Sequence, residues 1–574
     1  MKTLNFKTGI CLSIGGLLLG IVLLFSCKRE HLTMTTTNDV NITGYFENHL
    51  DQFSEFQKIL EKSGTASFLG AYGKYTVFAP TNDAIKTYLQ SIGKSSIDQM
   101  DVTALKDLVR FHTILDTIST VLFKDGKLQQ LTMFGQYLLT GASNIDGVTR
   151  YTINRQANVL QPNIRTGNGI IHVLDKVLTP ATKTLAQMIE GDPSYSIFTQ
   201  ALKATKFYDS LNVLPANALD TNRRFLTVIA ETDAVFRAAG FNDFNGLKLR
   251  YSTKNDPTNH ADSLWLFVAY HISPRARYLA DIVTANSHPT LAPQEIITSK
   301  LSGQDVLIND DEFNGIHEPG FVMDRLASDN TAQNGVLHSV TKNYAIKVRN
   351  PTPLYWDVAD QPELMKLPTF RKLGSPSVSI GIKESTCAGI LFGSTTSLVG
   401  STYDVKPATE FYANNDNLSI ALGSNRHPWV EFTTPMIIKG VYKVWICHRS
   451  VDAPSVQATI DAGTPAEQAL PNICVWKSDL GTPGINLADP NSDNLLEAAG
   501  YKRYAGNASS SEKRWLSRLI GTAVINTTDR HTIRLTNVGG RAGSIVIDMI
   551  HFIPITMDQQ YPRFNRDGTQ VLRP

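Results

Sequence analysis

The strongest pattern in the chain is a short apolar run that stops at a proline and restarts as a helix. Tyr75-Thr-Val-Phe-Ala-Pro80 is β-type and almost continuously apolar, which predicts a buried strand. Pro80 has no N–H to give a ladder and ends the run. Thr81 or Asn82 then caps a helix whose apolar face is Ile85, Tyr88 and Leu89, at i, i+3 and i+4. The pattern returns at Phe225-Leu-Thr-Val-Ile-Ala-Glu-Thr-Asp-Ala-Val-Phe236, where Thr227, Ala230, Thr232 and Asp233 match Thr76, Ala79, Thr81 and Asn82. A repeat on this scale predicts a duplicated domain.

Two more landmarks recur in the same order. Phe111-His112 is answered by Tyr270-His271, each closing an apolar run. Asn168-Gly-Ile-Ile-His172 is answered by Asn334-Gly-Val-Leu-His338, an Asn-Gly turn entering a strand. Together these resemble the fasciclin domain, with its Thr-Val-Phe-Ala-Pro-Thr-Asn segment, central Tyr-His pair and closing Gly-x-x-His-Val-x-Asp-x-Val-Leu. The first copy ends Gly169-Ile-Ile-His-Val-Leu-Asp-Lys-Val-Leu178; the second departs, with Glu231 for the proline and His338-Ser-Val-Thr for His-Val-x-Asp. The resemblance covers roughly residues 43 to 345 and implies α+β domains, a sheet wedge flanked by helices. It also implies an adhesive role, with the positions Phe111, His112, Tyr270 and His271 near the contact region.

The rest of the repeat region agrees. Phe46, Leu50, Phe53 and Phe56 recur at near-helical spacing, residues 128–178 are strand-rich and broken by glycines, and residues 184–208 are again helical. Residues 346–375, with Pro351, Pro353, Pro362 and Pro368, read as a connector. Beyond Pro376 the texture becomes short strands and glycine turns. Gly440-Val-Tyr-Lys-Val-Trp-Ile446 and His531-Thr-Ile-Arg-Leu-Thr536 alternate, with Ile533 and Leu535 inward and Arg534 outward. Trp429-Val-Glu-Phe432, the Gly440 strand and a terminal Ile-Asp-Met-Ile-x-Phe552 resemble the galactose-binding-like jelly rolls that include many carbohydrate-binding modules.

The start of the chain has Lys2 and Lys7, an apolar run from Ile10 to Phe25, and Leu24-Phe-Ser-Cys27. That order resembles a bacterial lipoprotein signal with Cys27 lipidated; an uncleaved membrane anchor is the competing reading. Lys28-Arg-Glu30 after the cysteine is compatible with display on the outer face of an outer membrane. The expected layout is a signal peptide over 1–27, a tether over 28–42, fasciclin-like domains over 43–181 and 182–345, a connector over 346–375, a galactose-binding-like sandwich over 376–556 and a loose polar tail over 557–574. The sequence thus predicts three bodies that pack independently.

Composition narrows the function. A length of 574 residues is too great for one core, and 42% apolar with 18% charged residues is ordinary for a globular chain. A net charge of +2, with no basic stripe, gives no reason to expect a nucleic-acid partner. The sequence has no nucleophile elbow, His-Glu-x-x-His, phosphate loop or dinucleotide fingerprint, so a non-catalytic protein is expected. Of the five cysteines, Cys387, Cys447 and Cys474 lie beyond the leader, and buried thiols are the simpler state. His112, His172, His271 and His338 each adjoin apolar residues and read as hydrogen-bonded core imidazoles.

Candidate ligand contacts lie in the sandwich. Tyr501, Tyr504, Arg514 and Trp515 sit in polar surroundings, and Trp429 opens a strand; exposed rings of this kind stack on sugars. Calcium-bearing modules of similar pattern place an Asp on the last strand, here Asp548, with an acid near the start, here Glu410. A structural calcium is therefore a candidate cofactor, although calcium needs six to eight oxygens and only two are nameable. The family's sugar-contacting Asn falls at Val546, a departure. The expected partners are a membrane, through the lipid, and an extracellular glycan or protein.

Overall fold

The computed structural model describes residues 40–574 apart from 72, 146–147, 314, 373–377, 383–386, 394–399, 406–410, 424–425, 450–453, 475–491, 507–514 and 540–541. The chain divides into two compact units, one ending at Pro180 and the other running from Ala181 to Pro574.

In the first unit Tyr75–Pro80 is buried at every position. It pairs in parallel with Gly169–Leu174 and antiparallel with Thr113–Ile114. The sheet continues through Ala157–Thr166, Val148–Ile153, Tyr137–Ile145 and Gly126–Leu131. A parallel pair has to be covered on both faces, which is why both strands are apolar runs rather than alternating ones. Helices Leu50–Ser63, Asn82–Ser91 and Val102–Phe111 cover one side with Phe53, Phe56, Leu60, Ile85 and Leu105. Phe78, Phe111, Leu138 and Ile153 fill the other. Thr81 is the cap of Asn82–Ser91, accepting from the Ala84 N–H at 3.2 Å. Asn82 instead reaches sideways and accepts from the Glu55 N–H at 2.9 Å.

The second unit opens with the same design. Leu226–Ala230 is buried and parallel to Gly335–Val340, with Thr227 opposite Val336 as Thr76 is opposite Ile170. Thr232 caps its helix through the Val235 N–H. Asp233 accepts from the Ile197 N–H, the counterpart of the Asn82 contact.

Two further sheets then pack around one apolar core. The eight-stranded sheet runs Val378–Ile382, Ser401–Val405, Asp416–Leu422, Gly543–Pro554, Gly440–Arg449, Trp515–Ile525, Tyr501–Arg503, with Leu354–Asp357 also paired to Gly543–Pro554. The five-stranded sheet runs Ile390–Phe392, Trp429–Ile437, Asp529–Asn537, Val456–Ile460, Gln468–Ala469. Ile533 and Leu535 point inward and Arg534 outward, as the alternation predicts.

Three expectations are corrected here. The connector is part of the sandwich, because Leu354–Asp357 forms a ladder with Phe552 to Met549. The C-terminal segment is not loose: Gln559, Gln560 and Phe564 are buried, and Trp445 donates its indole N–H to Gln559 at 3.0 Å. That covering is why Gly440–Arg449 is buried on both faces around Trp445 and Cys447. Finally, the sandwich and the second repeat do not pack independently. Phe313 is buried with Met436 and Ile438, and Lys439 pairs with Glu295.

Candidate ligand-binding faces

The four repeated histidines are structural. His112 Nδ1 lies 2.8 Å from the Leu108 carbonyl, and its Nε2 accepts from the Leu178 N–H at 3.0 Å. Burial pushes His112 down to about 4, so it is neutral. His172 and His338 stand 2.8 Å from the carbonyls of Ile118 and Arg277 and accept from the N–H groups of Asn163 and Asp329. His271 keeps the carbonyl contact, at 2.7 Å to Phe267, but its Nε2 meets Glu231 at 2.9 Å. Both partners are completely buried. Glu231 stands where the first repeat has Pro80, and it also accepts from the Tyr344 N–H and the Asn343 amide.

The motif positions are therefore not a contact surface. Phe111 and His112 are 1% and 0% exposed, and Tyr270 and His271 are 6% and 1% exposed. The Tyr270 hydroxyl donates to Ile296 O and accepts from Asn309, inside the repeat. A paired aromatic and histidine next to an apolar run is a core signal first, and no sequence feature distinguishes it from an exposed pair.

The aromatic cluster of the sandwich is corrected in the same way. Tyr501 and Tyr504 are buried, Tyr501 under the Arg518 guanidinium at 4.4 Å and Tyr504 with its hydroxyl on Asp548 at 3.0 Å. Arg514 and the side chain of Trp515 lie outside the described residues, as does Cys27. Beneath the C-terminal segment runs a buried polar row that the sequence did not reveal. Lys502 Nζ lies 2.9 Å from His551 Nδ1, and Cys447 Sγ lies 2.9 Å from Ser517 Oγ. Burial holds Lys502 down at about 8 and pushes the Cys447 and Cys474 thiols up to about 12. Cys447 and Cys474 form no disulfide.

Of the two candidate calcium donors, only Asp548 lies among the described residues. Asp548 is fully buried, and its Oδ2 accepts from the Ala413 N–H at 2.9 Å and from Tyr504. Burial, with Asp357 and Asp416 nearby, pushes its carboxyl well up. Glu410 lies outside the described residues. The positive charge in this region is Arg371, which stands 2.7 Å from Asp357, 2.8 Å from Asp360 and 3.3 Å from Asp416. Among the described residues no three His, Cys, Asp or Glu are grouped to hold a metal ion. A guanidinium amid the carboxylates is the wrong neighbour for a calcium oxygen cage, and the described donors do not fit one.

Among the described residues, Trp429 is the one candidate sugar contact that remains partly open. It lies on the outer face of the five-stranded sheet. The Arg534 guanidinium covers its ring at 4.2 Å and donates to Glu431 at 2.9 Å. Register sets Trp429 beside Thr536 and then Gln457, with Glu431 beside Arg534 and then Thr459 in the next row. The result is one indole held flat by a cation–π contact among hydroxyls, an amide and an ion pair. Trp429 lies on the five-stranded sheet and Tyr501 on the eight-stranded one.

Comparison with known proteins fits the repeats. Stabilin-1 of Homo sapiens is 35% identical over 140 residues, 23% of this chain and 5% of that protein. Transforming growth factor-beta-induced protein ig-h3 of Oryctolagus cuniculus is 27% identical over 213 residues, 36% of this chain and 28% of that protein. The chain thus spans well under two thirds of the length of these relatives. A solved domain pair of the insect cell adhesion molecule Fasciclin I aligns with 51% of this chain and 97% of its own, at 18% identity and a TM-score of 0.23. No helix among the described residues is long and apolar enough to cross a membrane. The family model of the fasciclin domain matches residues 51–180 and 193–343, and the chain carries two fasciclin domains there.

Proposed function

We propose that this is a cell-surface lipoprotein, anchored to an outer membrane through Cys27, that captures an extracellular ligand without chemistry. The fasciclin pair supports adhesion to a protein or glycan. The observation that carries the reading is the outer face around Trp429, Arg534 and Glu431. A flat indole bordered by hydroxyls and a fixed ion pair suits a sugar ring, which needs an apolar platform and a few oriented polar groups. That same face favours the second reading, an accessory lipoprotein that binds carbohydrate for an outer-membrane glycan-uptake system. No nucleic-acid partner is proposed.

The test is the full-length chain on a glycan array and on immobilised extracellular proteins, beside Trp429→Ala. Retention of a polysaccharide by the wild type but not by the variant supports capture through this face. Equal retention by both rules the face out, and retention of proteins alone leaves adhesion. For the anchor, labelled palmitate should enter the wild type and not Cys27→Ala.

A further inference from the structure

The two segments expected to be a connector and a loose tail meet at one place. Tyr355 and Asp357 lie on the strand Leu354–Asp357, opposite His551 and Met549. The chain end folds into a small hairpin, Arg563–Phe564 against Gln570–Val571, and Phe564 bridges to Ala505. Between them and the turn at Asn414 opens a pocket of about 540 Å³, lined by Tyr355, Asp357, Asp360, Asn414, Phe564 and Gln570 among others. That volume is within the range of small-molecule sites.

The pocket is organised before any ligand arrives. Tyr355 and Phe564 form its aromatic wall, ring centres 5.4 Å apart and inclined at 59°. Asp357 accepts from Arg371 at 2.7 Å and from the Asn414 amide at 2.8 Å. Arg371 also holds Asp360, whose side chain stays 38% exposed. Arg371, Asn414 and Asn415 have φ of 52°, 57° and 61°, left-handed conformations that persist only where the surroundings dictate them. Gly568 lets the tail close on this turn, since a Cβ there would stand 2.1 Å from Asn414 Oδ1. Fixed walls and fixed acceptors lower the ordering cost of binding.

We propose that this pocket is a second carbohydrate subsite, separate from the Trp429 face, that takes one neutral pyranose ring. The ring lies on the half-buried Tyr355, which the buried Phe564 braces, and its hydroxyls donate to the open carboxylate of Asp360 and to the side-chain carbonyl of Gln570. Arg371 already stands against both acids, so the floor favours a hydrogen-bonding ligand over a cation. The inference rests on the glycan-capture reading above.

Saturation-transfer NMR on the full-length chain tests it, with the methyl glycosides of glucose, galactose and mannose as probes and D-glucosamine as the cationic comparison. At least one neutral glycoside should receive saturation at its ring protons. Its affinity should fall by about tenfold in Asp360→Asn, the worth of one charge-assisted hydrogen bond, and at least as far in Tyr355→Ala. Trp429→Ala should leave it unchanged. Asp360→Asn alters an exposed side chain, so its loss of binding at unaltered melting temperature separates recognition from misfolding. Saturation that disappears in Trp429→Ala but survives in Asp360→Asn and Tyr355→Ala overturns this pocket and keeps the capture reading. Binding of glucosamine alone overturns the neutral-sugar assignment. No saturation of any glycoside, with a blank glycan array, overturns both.

Discussion

Asn168 and Asn334 make the same three hydrogen bonds in the two repeats. Asn168 accepts from the Ile42 N–H at 2.9 Å and donates to the carbonyls of Leu69 at 2.7 Å and Ala71 at 2.9 Å. Asn334 accepts from the Leu185 N–H at 2.8 Å and donates to Leu211 at 2.7 Å and Val213 at 2.9 Å. Each amide closes the first helical turn of its domain onto the turn before the closing strand. The glycine that follows is equally constrained: a Cβ would fall 2.1 Å from Tyr75 O at Gly169 and 1.9 Å from Leu226 O at Gly335.

Asn168→Ala leaves one buried N–H and two carbonyls without partners. It should destabilise the first unit by about 3 kcal/mol. Urea unfolding followed on the full chain should show one transition moving while the other stays.

Glu231→Ala in the second repeat should cost about 3–5 kcal/mol, because it strands His271 in the core. Glu231→Gln keeps the shape and the Tyr344 contact and should cost less. Unfolding midpoints of the two variants check the order; equal costs would mean that the contact depends on the carboxylate and that the shape kept by Gln contributes nothing.

The first unit should weaken in acid. His112 and His172 are both held down at about 4 by burial, against an ordinary value of 6.5. The unfolded chain therefore takes up protons first, and stability present above 6.5 is lost as pH falls from there toward 4. Urea midpoints measured between pH 7.5 and pH 4 should drop through that window, and His112→Gln should flatten the slope.

Cys447 and Cys474 should resist alkylation in the native protein. Both thiols are buried and pushed up to about 12, so little thiolate exists at pH 8. Mass spectrometry after iodoacetamide should find them unmodified until urea is added.

The C-terminal segment should prove structural. Phe564 is 4% exposed and packs on His551 and Tyr355. Phe564→Ala should cost about 3–4 kcal/mol, measured by chemical denaturation.

Much of the repeat architecture could be read from the chain because its signals are local. A strand, its closing proline, a capping threonine and the start of a helix occupy the eleven residues from Tyr75 to Ile85, and the Asn-Gly landmarks carry their own turn chemistry. The sandwich was legible as strands, down to Arg534 outward between Ile533 and Leu535. Its candidate site was not. Tyr501 and Tyr504 lie among charged residues in sequence and read as exposed, yet their burial depends on Asp548, Arg518 and the returning chain end, all distant in sequence. Tyr355, Asp357 and Phe564 carry no local motif, and only the fold makes them neighbours. Glu231 announced itself as a departure from proline, but its partner His271 could not be named without coordinates.

The strand Gly543–Pro554 lies between Asp416–Leu422 and Gly440–Arg449 and also carries Leu354–Asp357. The centre of the larger sheet is thus the last long strand to be synthesised, and until it arrives the strands on either side have no ladder in common. Because each closure joins residues far apart in the chain, assembly of this body is slow relative to a helix bundle. During synthesis, the two fasciclin repeats have all of their own strands well before the sandwich can zip shut.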